Sequence, residues 1–147
     1  MKILIINGPN LNFLGRRDSN IYGTLTLEEI NNSISSKGDE LGLFVNFFQS
    51  NHEGDLIDFI QQNTDEYDGM IMNAGALTHY GLSLADAISD SKIPTIEVHL
   101  SNIHSREEFR RRSVIAHLCI GQIAGFGSNG YLMALNYFAN LNHRKMK

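Results

Sequence analysis

A tyrosine, an arginine pair, a glutamate and a histidine stand at spacings that could move protons between carbon and oxygen. Tyr22 follows Arg16-Arg17 on one stretch bounded by Gly15 and Gly23, and Glu97 precedes His99 by two residues. On a strand, that second spacing points both side chains to one face. Taken singly these features are ordinary: an arginine pair is commonly a solvated charge pair, a tyrosine ring commonly packs over a core, and Glu with His can be a buried structural pair. Together they describe acid–base catalysis. A tyrosine is a general base only when deprotonated, and moving its pKa from ~10 towards ~7 takes about 4 kcal/mol of differential stabilisation, which adjacent positive charge can supply. Arginine suits that task because it stays charged when partly desolvated. His99 is the candidate general acid opposite, with Glu97 orienting its ring and keeping it protonated.

Other chemistries have less support. The six histidines, at 52, 79, 99, 104, 117 and 143, include no HExxH pair, and no metal site is expected. Cys119 is the single cysteine, so it can form neither an internal disulfide nor a multi-cysteine zinc site, which points to a reducing compartment. Lysines occur only at 2, 37, 92, 145 and 147, none directly after a predicted strand, which disfavours a Schiff base. Neither GxGxxG nor GxxxxGK[ST] is present, so dinucleotides and nucleoside triphosphates have no fingerprint and no cofactor is expected. With a net charge of −4, Arg110-Arg111-Arg112 reads as a solvated helix face with one inward contact, not as a nucleic-acid patch.

These residues need a scaffold. A chain of 147 residues, 42% hydrophobic and 19% charged, suits one globular domain spanning 1–147. Strand-type runs recur at Ile3–Ile6, Leu43–Phe48, Gly69–Met72, Thr95–Val98 and Cys119–Ala124, each followed by room for a helix. Thr26-Leu27-Glu28-Glu29 reads as a capped helix start, with Leu27, Ile30, Ile34 and Leu41 on one face before Gly42 and with Gly38 weakening the end. Further helices are expected from Gly54-Asp55 through Ile60, over Leu82–Ser89, over Arg106–Arg112 as a short one, and around Leu132, Leu135, Tyr137, Phe138 and Leu141. This alternation predicts an α/β, flavodoxin-like three-layer fold with a five-stranded parallel sheet, although strand order is not legible. The four apolar residues Ile3–Ile6 are too few for a signal peptide or a membrane span, so neither membrane nor export is expected and the cytoplasm is the default.

Ligands of such sheets sit beyond the carboxyl ends of the strands. Those positions carry Asn7-Gly8-Pro9-Asn10, Gln49-Ser50-Asn51-His52, Asn73-Ala74-Gly75 and His99-Leu100-Ser101-Asn102, and their recurrence predicts a polar pocket. Asn7 and Asn73 stand where a phosphoryl-accepting receiver domain would need acidic residues, and Asn7–Gly15 lacks the Ser/Thr-rich phosphate loop of a flavodoxin. The connection from Asn10 to Gly23 exceeds the ~2–6 residues usual between strand and helix, as a lid would.

These blocks resemble the type II 3-dehydroquinate dehydratase family. The matching residues are Asn7-Gly8-Pro9-Asn10-Leu11-Asn12 with Leu14-Gly15, Arg17 and Tyr22-Gly23; Gln49-Ser50-Asn51 with Glu53-Gly54; Asn73-Ala74-Gly75-Ala76 with Thr78-His79; Glu97-Val98-His99-Leu100-Ser101-Asn102; Arg106-Glu107-Glu108-Phe109-Arg110; and Gly121, Ile123, Gly125 and Gly127. The pattern covers nearly the whole chain in order. The resemblance implies a homo-oligomer, trimers assembled into a dodecamer, that dehydrates 3-dehydroquinate to 3-dehydroshikimate without cofactor, in aromatic amino-acid biosynthesis or in quinate breakdown. It implies that Tyr22 takes the C2 proton, that Arg17 on the lid supports the charged tyrosine, that Asn10 holds a water against the developing enolate oxygen, and that His99, oriented by Glu97, protonates the departing C1 hydroxyl. Asn73, Leu100 and Ser101 would bind the substrate carboxylate; His79, Arg110 and Asp86 would contact ring hydroxyls, Asp86 from a neighbouring subunit; Arg106 would add positive charge near Tyr22.

Two departures stand out. Ser19 occupies a lid position where the family usually has proline, which predicts a freer loop before ligand binds. Tyr80-Gly81 follows His79 where Thr-Ser is frequent. The competing readings are a non-catalytic binder of a small anion or protein, and a structural homo-oligomer with a vestigial pocket. A catalyst alone would generate enone absorbance from 3-dehydroquinate.

Overall fold

The computed structural model describes the backbone of residues 1–145 and the side chains through Leu141. The short apolar runs form strands β1 (Lys2–Asn7), β2 (Phe44–Gln49), β3 (Gly69–Asn73), β4 (Thr95–His99) and β5 (Gly121–Ala124). All pair in parallel, in the order β2-β1-β3-β4-β5, which is flavodoxin-like. Helices α1 (Ser19–Tyr22), α2 (Leu27–Leu41), α3 (Glu53–Gln62), α4 (Leu82–Ser91) and α5 (Asn129–Lys145) connect or flank them. No described helix is long and apolar enough to cross a membrane.

Strand periodicity divides the core in two. Ile3, Ile5, Ile71, Ile96 and Val98 pack with Ile30 and Ile34 of α2 and with Tyr131, Leu135 and Phe138 of α5. The alternating residues Leu4, Ile6, Met70 and Met72 pack with Leu56 and Ile60 of α3 and Leu84 and Ile88 of α4. Ile3 to Ile6 are wholly buried, each worth about 1.5–3 kcal/mol relative to exposure. Because Ile96 and Val98 take the α2/α5 face, Glu97 and His99 are left together on the other.

Local chemistry sets the helix limits. The predicted capping box is present: Glu29 N donates to Thr26 Oγ1 at 3.2 Å, and Thr26 N donates to Glu29 Oε2 at 2.7 Å. α2 ends at Gly42, whose φ of 67° lies in the left-handed region. Gly38 has a packing role beyond the expected weakening of the helix. A Cβ there would come within 2.6 Å of Val45 Cγ2, so its absence lets α2 approach β2.

The structure corrects several boundaries. Arg106–Arg112 is not an α-helix: 3-10 turns occupy Ile103–Ser105 and Glu108–Arg110. With Phe109 68% exposed, the segment has no apolar stripe to dock, and Arg111 Nε donates to the Arg106 carbonyl. The fifth strand begins at Gly121, not Cys119, and the second at Phe44, not Leu43. Tyr137 lies on the outer side of α5, exposed, while Tyr131 and Ala134 complete the buried face. The long connection after β1 folds into a 3-10 turn at Leu11–Phe13 and the single turn of α1.

A buried polar link ties α5 to the sheet. The Tyr131 hydroxyl donates to Asn7 Oδ1 at 2.6 Å and accepts from Asn73 Nδ2 at 3.0 Å. Burial pushes this phenol above its ordinary pKa, so it stays a donor. Tyr131→Phe leaves two buried amide groups short of a partner and should cost about 1–3 kcal/mol, read as a lower midpoint in urea.

Cys119 shows the same direction for a different group. Burial, with an added contribution from the Glu97 carboxylate, pushes its thiol up from 9.0 to about 12. The native state therefore holds this proton more tightly than the unfolded chain does. Its stabilisation is complete below pH 9 and is lost as pH rises towards 12. Iodoacetamide at pH 8 should label Cys119 rapidly in urea and negligibly in the native protein.

Candidate active site

Helices α2 and α5 lie on one face and α3 and α4 on the other, so the winding reverses between β1 and β3. Turns leaving adjacent strands part at such a point and open a crevice beyond their carboxyl ends. Here the cleft is bordered by Pro9, Asn10 and Leu11 after β1, Asn73, Gly75 and Ala76 at β3, and His99, Leu100 and Ser101 at β4. The connection after β1 brings Arg17 and Tyr22, and the loop after β4 brings Arg106 and Arg110; His79 completes the wall. The turns fit closely. Gly75, at φ 59°, approaches Pro9 so nearly that a Cβ would lie 2.9 Å from its carbonyl oxygen.

The arginine pair divides its work. The Arg17 guanidinium stacks 3.8 Å from the Tyr22 ring centroid, whereas Arg16 lies over Phe13 at 5.7 Å. The Tyr22 oxygen itself accepts from Arg106 Nη1 at 3.3 Å, and the same nitrogen donates to Ser101 Oγ at 3.4 Å. A phenolate at this position has two cationic neighbours, one against its face and one at its oxygen. α1 presents Tyr22 at its last position, and Asp18 caps the turn by accepting from Asn20 N at 3.0 Å. Thus Ser19 opens a capped helical turn where the family pattern favours proline.

On β4, His99 Nε2 lies 2.6 Å from Glu97 Oε1. An ionised carboxylate only accepts, so Nε2 carries the hydrogen and Nδ1 is the nitrogen left to exchange a proton with a ligand. Glu97 is 0% exposed and its other side-chain partner is Ser113, whose hydroxyl donates to Oε1 at 2.9 Å and Oε2 at 3.1 Å. His79 Nδ1 lies 2.7 Å from the Arg112 carbonyl, which likewise fixes a hydrogen on Nδ1 and leaves Nε2 available.

The remaining predicted residues fall as follows. Asn10 adopts a left-handed φ of 68°, and its backbone N–H donates to Asn51 Oδ1 at 2.9 Å. Gln49 Nε2 holds the same Asn51 oxygen and the Gly8 carbonyl, both at 3.2 Å. Asn73 borders the cleft with its amide largely engaged: besides the bond to Tyr131, Oδ1 accepts from Gly75 N at 3.2 Å. Arg106 Nε and Arg110 Nε lie 3.5 Å and 3.2 Å from one Glu107 oxygen, so one carboxylate sits between two cleft arginines. Asp86 is exposed on α4 and does not border the cleft of its own chain.

Ser113 and the Arg112 carbonyl escape sequence reasoning as supports of the site, and Asn51, read there as part of a polar strand end, escapes it as the acceptor that holds Asn10 N. Ser113 lies 16 residues from Glu97, and no periodic pattern joins them. A serine before the apolar pair Val114-Ile115 signals only a local turn.

The family model described as "Dehydroquinase class II" matches residues 1–139. A 3-dehydroquinate dehydratase of Clostridium perfringens (strain 13 / Type A) is 55% identical over 148 residues, covering 100% of both chains. Among solved structures, the type II dehydroquinase of Butyrivibrio crossotus DSM 2876 superposes with a TM-score of 0.91 at 48% identity, covering 95% of this chain and 97% of the other. That of Propionibacterium acnes gives 0.91 at 42% identity, covering 95% and 96%. With family, relatives and superposed structures agreeing over almost its full length, the chain belongs to the class II dehydroquinases, a family of hydro-lyases.

Proposed function

We propose that this chain dehydrates 3-dehydroquinate to 3-dehydroshikimate, without a cofactor, by stepwise acid–base elimination. The observation that carries the reading is one cleft holding both a tyrosine flanked by two guanidinium groups and a histidine backed by a buried carboxylate. Tyr22 as phenolate takes the proton from C2, and the C–H electrons pass into the C3 carbonyl to give an enolate. Asn10 holds a water against that oxygen, stabilising charge where it develops. The enolate then reforms the ketone as the C1–oxygen bond breaks; His99 supplies the proton from Nδ1, and water leaves an enone. Arg17 supports the phenolate, and Arg106 contacts its oxygen.

Asn73, Leu100 and Ser101 bind the substrate carboxylate, in keeping with a cleft edged by Arg17, Arg106 and Arg110. His79 and Arg110 contact ring hydroxyls, with Asp86 of a neighbouring subunit. The working form is a homo-oligomer, a dodecamer of trimers. Tyr80 and Leu82, 66% and 65% exposed near Asp86 in sequence, support a subunit contact at the start of α4. The reading also includes a cytoplasmic location, in keeping with a single cysteine that has no intramolecular partner for a disulfide.

Incubation with 3-dehydroquinate should raise enone ultraviolet absorbance; a flat spectrum would instead support a binding domain. Tyr22→Phe should abolish both turnover and exchange of the C2 hydrogen with deuterated water. His99→Ala should keep exchange and lose elimination, and near-native turnover in either variant overturns its role. Subunit sharing has a separate test: inactive Tyr22→Phe and Asp86→Ala chains, dissociated and reassembled together, should regain activity. Absence of any recovery in mixed oligomers of native size would overturn the contribution of Asp86 to a neighbouring subunit's site.

A further inference from the structure

We propose that Ser113 is a positioning residue for the acid, holding the Glu97 carboxylate in the one orientation that keeps His99 aligned. The proposal rests on the reading of His99 as the acid. A serine hydroxyl has one hydrogen and two lone pairs. Both lone pairs of Ser113 face backbone donors, accepting from Ile115 N at 3.2 Å and Ala116 N at 3.0 Å. The hydrogen is therefore left for Glu97, whose two carboxylate oxygens lie 2.9 Å and 3.1 Å from Ser113 Oγ. Ser113 thus meets the carboxylate only as a donor.

That constraint matters because Glu97 is wholly buried and the contact to His99 uses one oxygen alone. A single hydrogen bond lets a carboxylate turn about its terminal torsion, which is broad and soft. The second donor, spanning both oxygens, removes that freedom. The backbone carrying Ser113 is itself fixed: Val114 N donates to the Thr78 carbonyl at 2.8 Å, and the Arg112 carbonyl receives His79. Three consecutive residues accordingly set both cleft histidines, His79 directly and His99 through Glu97.

The test measures kcat, KM and C2 exchange in deuterated water for Ser113→Ala, Ser113→Thr and Ser113→Cys, beside His99→Ala. Ser113→Ala should lower kcat about tenfold or more, the effect expected of an outer partner that orients a histidine, with KM changed less than about twofold. Exchange should persist, since the base is untouched. Ser113→Thr, which keeps the hydroxyl, should restore most of kcat. Ser113→Cys, a weaker donor of similar shape, should fall between them and gives the same comparison if the alanine variant fails to fold. Wild-type kcat in the alanine or cysteine variant overturns the proposal, as does equal loss of exchange and elimination, or threonine no better than alanine. Normal turnover in His99→Ala is a different failure, that of the acid assignment itself.

Discussion

Burying an ionised carboxylate costs several kcal/mol unless partners replace its water, and Glu97 has no exposure at all. Its compensation comes from His99 Nε2 and the Ser113 hydroxyl, with no lysine or arginine in contact among the described residues. This single requirement orders much of the surrounding site. It fixes which imidazole nitrogen holds a permanent hydrogen and which is free for chemistry. It also draws the segment after the cleft arginines in against β4, and it places a negative charge near the Cys119 thiol that adds to the burial holding its proton on.

The phenol side of the site follows the opposite logic. Tyr22 is half-exposed on a one-turn helix, and cations carried by two separate loops set its surroundings. Arg17 and Tyr22 are carried by the connection after β1; Arg106 belongs to the loop beyond β4. Their meeting therefore depends on where that connection lies over the sheet edge, whereas the Glu97–His99 pair is built into a strand. In the reaction proposed above, that division would put rigidity at the acid and adaptability at the entrance for the ligand.

Much of this was legible in the sequence because it depends on short-range periodicity. The spacing of two between Glu97 and His99 is enough to place them on one face, and the unbroken apolar run Ile3–Ile6 is enough to place β1 between two cores. The capping box at Thr26 is equally local. Strand order was not legible, because parallel pairing is decided by packing between residues far apart in the chain. The Arg106–Arg112 segment misled for a related reason: good helix formers predict a helix, but without an apolar stripe to bury, contacts from its arginines to the cleft and to Glu107 prevail. Arg106 was legible as a nearby charge only through family resemblance, and its direct bond to the phenol oxygen required coordinates. The role implied for Asn73 is narrowed by its neighbours, since Tyr131 and Gly75 already occupy most of its amide.

Surface loops ordinarily tolerate changes in length, because few of their backbone groups are committed elsewhere. The run from Arg112 to Val114 is an exception. Its carbonyl, hydroxyl and amide engage three different partners in succession, so inserting or deleting one residue would throw all three out of register at once. Natural variation in this loop should accordingly appear as exchange of side chains at a constant residue count.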